Sequence, residues 1–256
     1  MKTLLADVRI AVRSYLKTPL VVIGVTVSLA LGVGTAATVL NLVDVLLFRL
    51  PDVPESHELV GIYSRTPDDA YIGTSFLDFR DFQQRSQSLT GLAAYIRVAV
   101  HVESTTGTRE QVQAEIVTGN YFELLRLRAS RGRLLMPKDD VVSAPPVAVV
   151  SPDFAREHFG EDLELGDRSL RINGVSFAIA GVAPESFSGL TKDWGPAPHL
   201  WVPVVHLPSA VSIFANRPFL EAREARSFLL VGRLRPGVEA SSAQADFDRC
   251  HSTARS

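Results

Sequence analysis

The sequence predicts an α+β fold in which one N-terminal transmembrane helix is followed by a mixed α+β domain exported across the membrane. Three observations lead there. From Thr18 to Val43 the chain carries no charged side chain over 26 positions. Beyond Arg49, short apolar and alternating runs read as strands, two of them flanking Asn173-Gly174. Those strands mix with short helices and lack the regular full-length crossovers of a parallel βαβ sheet. The 256 residues hold 26 Lys plus Arg against 28 Asp plus Glu, a formal charge of −2. That balance argues against a nucleic-acid partner, because displacing counterions from phosphates takes a dense cationic surface. The single cysteine, Cys250, permits no internal disulfide.

The first element is the membrane span. Leu20 to Val43 is 24 mostly apolar residues, about 36 Å of helix against a hydrocarbon core of about 30 Å. The alternative is a cleaved signal peptide, with Ala30, Gly32, Ala36 and Ala37 as small residues near a cleavage point. The apolar run exceeds the roughly 7 to 15 residues such a peptide needs. Lys2, Arg9, Arg13 and Lys17 precede the span with only Asp7 opposing them, whereas Asp52, Glu55 and Glu58 follow Arg49. Retained basic residues mark the cytoplasmic side, so the N-terminus stays inside and the bulk is exported. The predicted organisation is a basic N-terminus over 1–19, a transmembrane helix over 20–48, a core domain over 49–240 and a C-terminal tail over 241–256. Gly24, Ser28, Gly32 and Ala36 recur every four residues on one face of the span. They are the candidate helix-packing residues, since small side chains let a second helix approach closely.

After the stiff exit at Pro51 and Pro54, Leu59–Tyr63 reads as a strand and Thr66–Gly73 as a loop. Ser75 caps an amphipathic helix, with Asp78 in the capping-box position and Phe76, Phe79 and Phe82 forming its apolar stripe. Asp78 and Asp81 are expected opposite that stripe, as a cap and a surface charge and not as a catalytic pair. Leu92–Val102 and Val112–Val117 read as strands joined by a turn-rich connection, and Asn120–Leu125 as a short helix. Arg126, Arg128, Arg131 and Arg133 then fall within eight residues. They form either a patch for anionic lipid or a partner, or a solvated connection at a helix end. Pro145–Ser151 reads as a buried strand, and Ser151-Pro152-Asp153 starts a helix that stops at Phe159-Gly160. Leu170–Ile172 and Val175–Ile179 form a hairpin about Asn173-Gly174, and Trp201–Val205 and Phe228–Leu234 are further strands.

No phosphate-binding loop is present, since no Gly-Lys pair occurs, and Gly32 to Ala37 matches a dinucleotide pattern only inside the apolar span. His57, His101, His158, His199, His206 and His251 are scattered without ligand spacing. There is no nucleophile elbow, and Cys250 has no pairing signal with histidine. The expectation is a protein with no catalytic residues, no cofactor and no metal.

One ordered set of motifs covers most of the chain. It begins with Asp7-Val8-Arg9-Ile10-Ala11-Val12-Arg13, Lys17-Thr18-Pro19 and Ala30-Leu31-Gly32-Val33-Gly34. It continues through Ser75-Phe76-Leu77-Asp78-Phe79-Arg80-Asp81, Gly119-Asn120-Tyr121-Phe122, Gly132-Arg133 and Ala148-Val149-Val150-Ser151. Phe159-Gly160 and the stretch from Ile172-Asn173-Gly174 to Gly181-Val182-Ala183-Pro184 complete it. In order and spacing this resembles the MacB-like, FtsX-like permeases of ABC transporters, covering their first membrane helix and periplasmic core domain from about residue 1 to 240. The resemblance implies a permease component of the bacterial inner membrane, single-pass in this chain, with a periplasmic domain that passes on motion driven by a cytoplasmic ABC ATPase. It also implies a second permease copy and membrane lipid as partners. Arg126 and Ala129 stand where such sequences usually have Gly and Pro. After Val238 the resemblance calls for a helix and three further membrane helices, so a chain ending at DRCHSTARS is expected to be a truncated product or a fragment. The competing expectation is a single-span, membrane-anchored periplasmic binding or adaptor module without ATPase coupling. A secreted enzyme lacks any supporting constellation.

Overall fold

The longer helices and the β8–β9 hairpin begin where the local chemistry demands it, at Ser75, Ser151 and Asn173-Gly174. The computed structural model describes residues 53–65, 71–103, 109–160, 165, 168–190, 195–211 and 219–253, all within one compact unit spanning Leu50–Ser256. A 3₁₀ turn at Ser56–Glu58 leads into β1 (Leu59–Ile62), followed by β2 (Ser64–Arg65) and β3 (Tyr71–Ile72). The expected loop at Thr66–Gly73 is corrected at its end, because Tyr71–Ile72 pairs back antiparallel on Ser64–Arg65. Two residues are too few to leave an alternation in the sequence.

Helix α1 (Phe76–Arg85) starts as expected, with the Ser75 hydroxyl accepting from the Asp78 amide at 3.0 Å. Phe79 and Phe82 are buried. Phe76 lies 5.3 Å from the Phe79 ring and 5.4 Å from that of Phe228. The expectation that Asp78 and Asp81 both lie on the polar face fails for Asp78, which is buried and receives Arg223 Nη1 at 2.6 Å. The same guanidinium donates to Asp81 at 2.8 Å. A cation from a distant loop thus turns the first-turn carboxylate inward.

Next come β4 (Leu89–Glu103), β5 (Arg109–Val117), α2 (Tyr121–Leu124), β6 (Arg131–Gly132), β7 (Val147–Val150) and α3 (Pro152–Phe159). The chain closes with β8 (Ser169–Ile172), β9 (Val175–Val182), β10 (Leu200–Pro203), α4 (Leu207–Ala210), β11 (Leu229–Leu234) and α5 (Ala240–Thr253). Helix α3 carries Ser151 as cap, Pro152 in its first turn and Gly160 at φ 81° past its end. The β8–β9 hairpin turns on Asn173 and Gly174, both at positive φ as a two-residue turn of this hand requires.

The main sheet runs β1-β11-β4-β5-β10-β7-β9-β6, with β8 pairing both β4 and β9. Those last pairings join β4, β5, β10, β7, β9 and β8 into a ring, closed where Val102 and Glu103 meet Ile172 and Arg171. Asn173 secures the closure: its carbonyl oxygen accepts from the His101 amide at 3.1 Å and its amide nitrogen donates to the Ala210 carbonyl. Inward-facing residues such as Val100, Val102, Ala114, Ile116, Ile172, Phe177 and Val202 make one core, which continues under α1 and α5. The opposite face of β4, β5, β7, β10 and β11 carries Tyr95, Val117, Val149, Trp201 and Val231, and α2 covers it with Tyr121, Phe122 and Leu125. Burial on both faces explains why β7 and β10 read as unbroken apolar runs.

Candidate functional site

The predicted packing residues Gly24, Ser28, Gly32 and Ala36, and the whole predicted span over 20–48, lie outside the described residues. Among the described residues no helix is long and apolar enough to cross a membrane. His158 stacks on Phe154 with ring centroids 3.9 Å apart, His199 meets the same ring at 6.1 Å, and His206 meets Phe177 edge-on at 5.7 Å. The arginine run is a connection whose ends form ion pairs within the chain, Arg126 with Glu55 and Glu58 and Arg133 with Asp139.

What the fold does bring together is its beginning and its end. β1 pairs antiparallel with β11, placing Leu59 opposite Arg233, so the chain reaches and leaves the sheet at one end. Alternation along β11 sends Leu230 and Leu234 inward and Arg233 to the other face, where its side chain is 3% exposed. A guanidinium there is tolerable only with its donors used. Its Nε donates to the Leu124 carbonyl at 2.9 Å, Nη1 to the Glu55 carbonyl at 3.2 Å and to Glu58 at 2.9 Å, and Nη2 to the Pro54 carbonyl at 3.2 Å. One side chain therefore binds the lead-in segment (residues 53–58) to the last strand and to α2.

Helix α2 ends in a Schellman motif: the Leu127 amide donates to the Phe122 carbonyl at 3.1 Å and the Arg126 amide to that of Glu123 at 3.0 Å. The motif puts its linking residue in the left-handed region, and Arg126 has φ 55°. A residue with a Cβ is disfavoured in that region, where glycine is free. Arg126 pairs with Glu55 and lies 3.6 Å from Glu58.

From α2 the connection continues into the sheet through Glu115, which is wholly buried on β5. Its carboxylate accepts from Tyr121 Oη at 3.1 Å, Trp201 Nε1 at 2.9 Å and Arg97 Nη2 at 3.4 Å. Burial raises its pKa, and the indole, the guanidinium and the phenol oppose that rise without cancelling it. At the C-terminal side, Asp246 on α5 accepts from Ser86 Oγ at 3.0 Å and from the Gln87 and Ser88 amides at 2.9 and 3.1 Å. Partial burial pushes the Asp246 pKa up, but these hydrogen bonds outweigh it and hold the carboxyl below its ordinary range. Phe247 adds an edge-on contact to Phe82 at 5.5 Å, so α5 is fixed to α1 and to the start of β4. Arg233, Glu115 and Asp246 were not legible in the sequence as site residues, since an isolated charge on an alternating strand or helix reads as solvated.

The model of the MacB-like periplasmic core domain family matches residues 20–249. Among solved structures the chain is similar to the periplasmic region of MacB from Actinobacillus actinomycetemcomitans, at 12% identity and TM-score 0.59 over 81% of this chain and 88% of that one. It is also similar to the extracellular domain of the noncanonic ABC-type transporter YknZ from Gram-positive bacteria, at 11% identity and TM-score 0.55 over 77% and 94%. A domain of a putative permease protein from Porphyromonas gingivalis matches at 12% identity and TM-score 0.57 over 79% and 83%. At such identities these likenesses concern the fold. No curated protein matches.

Proposed function

Because this chain belongs to the MacB-like periplasmic core domain family, we propose that it is a membrane-anchored permease component of an ABC transporter. Its periplasmic domain passes motion from a partner ATPase to the exported side of the inner membrane. The chain spans once through 20–48 with its N-terminus in the cytoplasm, pairs with a second permease copy, contacts membrane lipid and neither binds nor hydrolyses ATP itself. The observation that carries the reading is the joining of the first and last strands at one end of the sheet, held by the buried Arg233. A domain displaced by membrane helices must receive force where its chain ends attach, and a loose attachment absorbs displacement instead of passing it on. The closed strand ring behind that joint supplies the rigid body that is moved.

The test is purification of the full chain from its native membranes, with identification of co-purifying subunits. An ATPase carrying a phosphate loop, present in near-equal amount, supports the permease reading. A periplasmic partner without any ATPase supports instead an anchored adaptor. Calorimetry with ATP on the chain alone is expected to give no saturable heat.

A further inference from the structure

The segment Met136–Pro146 lies at the end of the strand ring where β10 stops and β7 starts. Its two ends are held firmly. At one, Asp139 pairs with Arg133, and the Asp140 carboxylate accepts from the Gly119 amide at 3.0 Å and the Val205 amide at 2.9 Å. At the other, the Pro146 carbonyl accepts from the Ala178 amide at 3.0 Å. Between them the tip, Val141–Ser143, is exposed, and the stretch before Pro146 meets His206, which is 8% exposed and stands edge-on to Phe177 of the core. The imidazole hydrogen-bonds Pro145, and proline offers only a carbonyl, so a ring N–H donates. Nε2 is buried with no partner among the described residues. Nδ1 is therefore the donor and Nε2 a bare acceptor. We propose that His206 is a proton-operated latch: neutral, it holds residues 141–145 against the end of the ring, and protonated it leaves that site and lets them swing out between Asp140 and Pro146.

Protonation adds an N–H at Nε2 and a full charge at a nearly buried site, and both are costly unless paired. Of the described elements packed against the imidazole, β9 brings the uncharged Phe177 and the crossing segment brings Asp140, the ionisable group that faces it. Both Asp140 oxygens are already taken by backbone amides. Burial pushes the imidazole below its ordinary 6.5, and Asp140 and the Pro145 carbonyl oppose this without cancelling it. A proton is thus bound more tightly with the latch open than closed. As pH falls below 6.5 the equilibrium moves toward the open form, at most about tenfold per pH unit for one proton, until the lowered value is passed. The buried carboxyls act with the opposite sign: burial raises both Asp140 and Glu115, so through them acid favours the closed form. Partial burial also raises Asp139, but Arg133 and the Met136 amide outweigh it and hold that carboxyl below its ordinary 3.8. Loosening in mild acid therefore belongs to the histidine. The latch needs no transporter activity and stands apart from the permease reading.

Hydrogen exchange on the full chain in lipid nanodiscs, corrected for the intrinsic pH dependence of amide exchange, reads the latch between about pH 7.5 and about pH 5. Protection of the peptides covering 140–146 and 204–211 is expected to fall several-fold across that range, while that of β4 and β5 does not fall. His206→Gln keeps a neutral donor for the Pro145 carbonyl and is expected to give the same protection at every pH in that window. His206→Phe, neutral and without the donor, should be equally flat but less protected, and protection of β4 and β5 shows that each variant is folded. Protection that rises or stays level on acidification of the unaltered chain, or a fall that persists in either folded variant, would overturn the proposal.

Discussion

Arg233 shows how much one position can be asked to hold. Its guanidinium satisfies three backbone carbonyls and a carboxylate from two separate segments, and nothing of that set survives truncation. Arg233→Met in residues 50–256 expressed alone is expected to cost about 3 to 5 kcal/mol in urea unfolding, the range for breaking a buried, hydrogen-bonded charge pair. Arg233→Lys should recover little, since one ammonium cannot reach the Leu124 carbonyl and Pro54 together. Glu115 gives a pH signature. Its folded pKa lies above the ordinary 4.5, so its stabilising contribution is complete below that value and declines as pH rises through the raised one. Unfolding free energies measured from pH 4.5 upward should therefore fall more steeply for the natural domain than for Glu115→Gln. Neither residue announced itself in the sequence. In Val112–Val117 the alternation of VQAEIV marks Glu115 as outward-facing, and it is; what one sequence conceals is that α2, Tyr121 and Trp201 cover that face.

Elements defined by local chemistry were legible. The Ser75 cap and Phe stripe located α1, Ser151-Pro152 and Gly160 bounded α3, and Asn173-Gly174 placed the β8–β9 turn. Elements defined by distant partners were not: β3 and β6 are two residues each and exist only because another segment lies beside them. The same distinction separates the expected costs of substitution on α1. Phe79→Ala, from a buried site against the Phe76 ring, should lose about 3 to 5 kcal/mol through transfer and cavity costs. Asp78→Ala leaves a partly buried Arg223 contact unmet and should cost about 1 to 3 kcal/mol, whereas Asp81→Ala, more exposed, should cost under about 1 kcal/mol. Denaturant unfolding of the three variants side by side checks the order. At the other end of the chain, Asp246→Ala should leave β4 and β5 protected while hydrogen exchange in α5 and at Ser86–Ser88 increases, because three donors at that corner lose one acceptor.

At the scale of the molecule, the ring of β4, β5, β10, β7, β9 and β8 ties segments between Leu89 and Pro203 into one hydrogen-bonded circuit. Such a circuit has no natural place to part, so residues 50–256 are expected to unfold in a single transition. Coincident urea curves from far-ultraviolet circular dichroism and from hydrogen-exchange protection of β9 would bear this out, and separated midpoints would refute it. The ring was beyond sequence reading because β8 owes its second partner to register and twist, which no local pattern encodes. The position of β11 also constrains the order in which the domain can assemble. It lies between β1 and β4, so the first described strand has no partner in the main sheet until nearly the last described strand has followed it. Pairing of such sequence-distant strands is slow, because loop-closure entropy is spent before contacts reward it. β1 and the lead-in segment are therefore expected to stay open and protease-sensitive during refolding until the ring has formed, with Arg233 entering its site late; pulse proteolysis during refolding checks this.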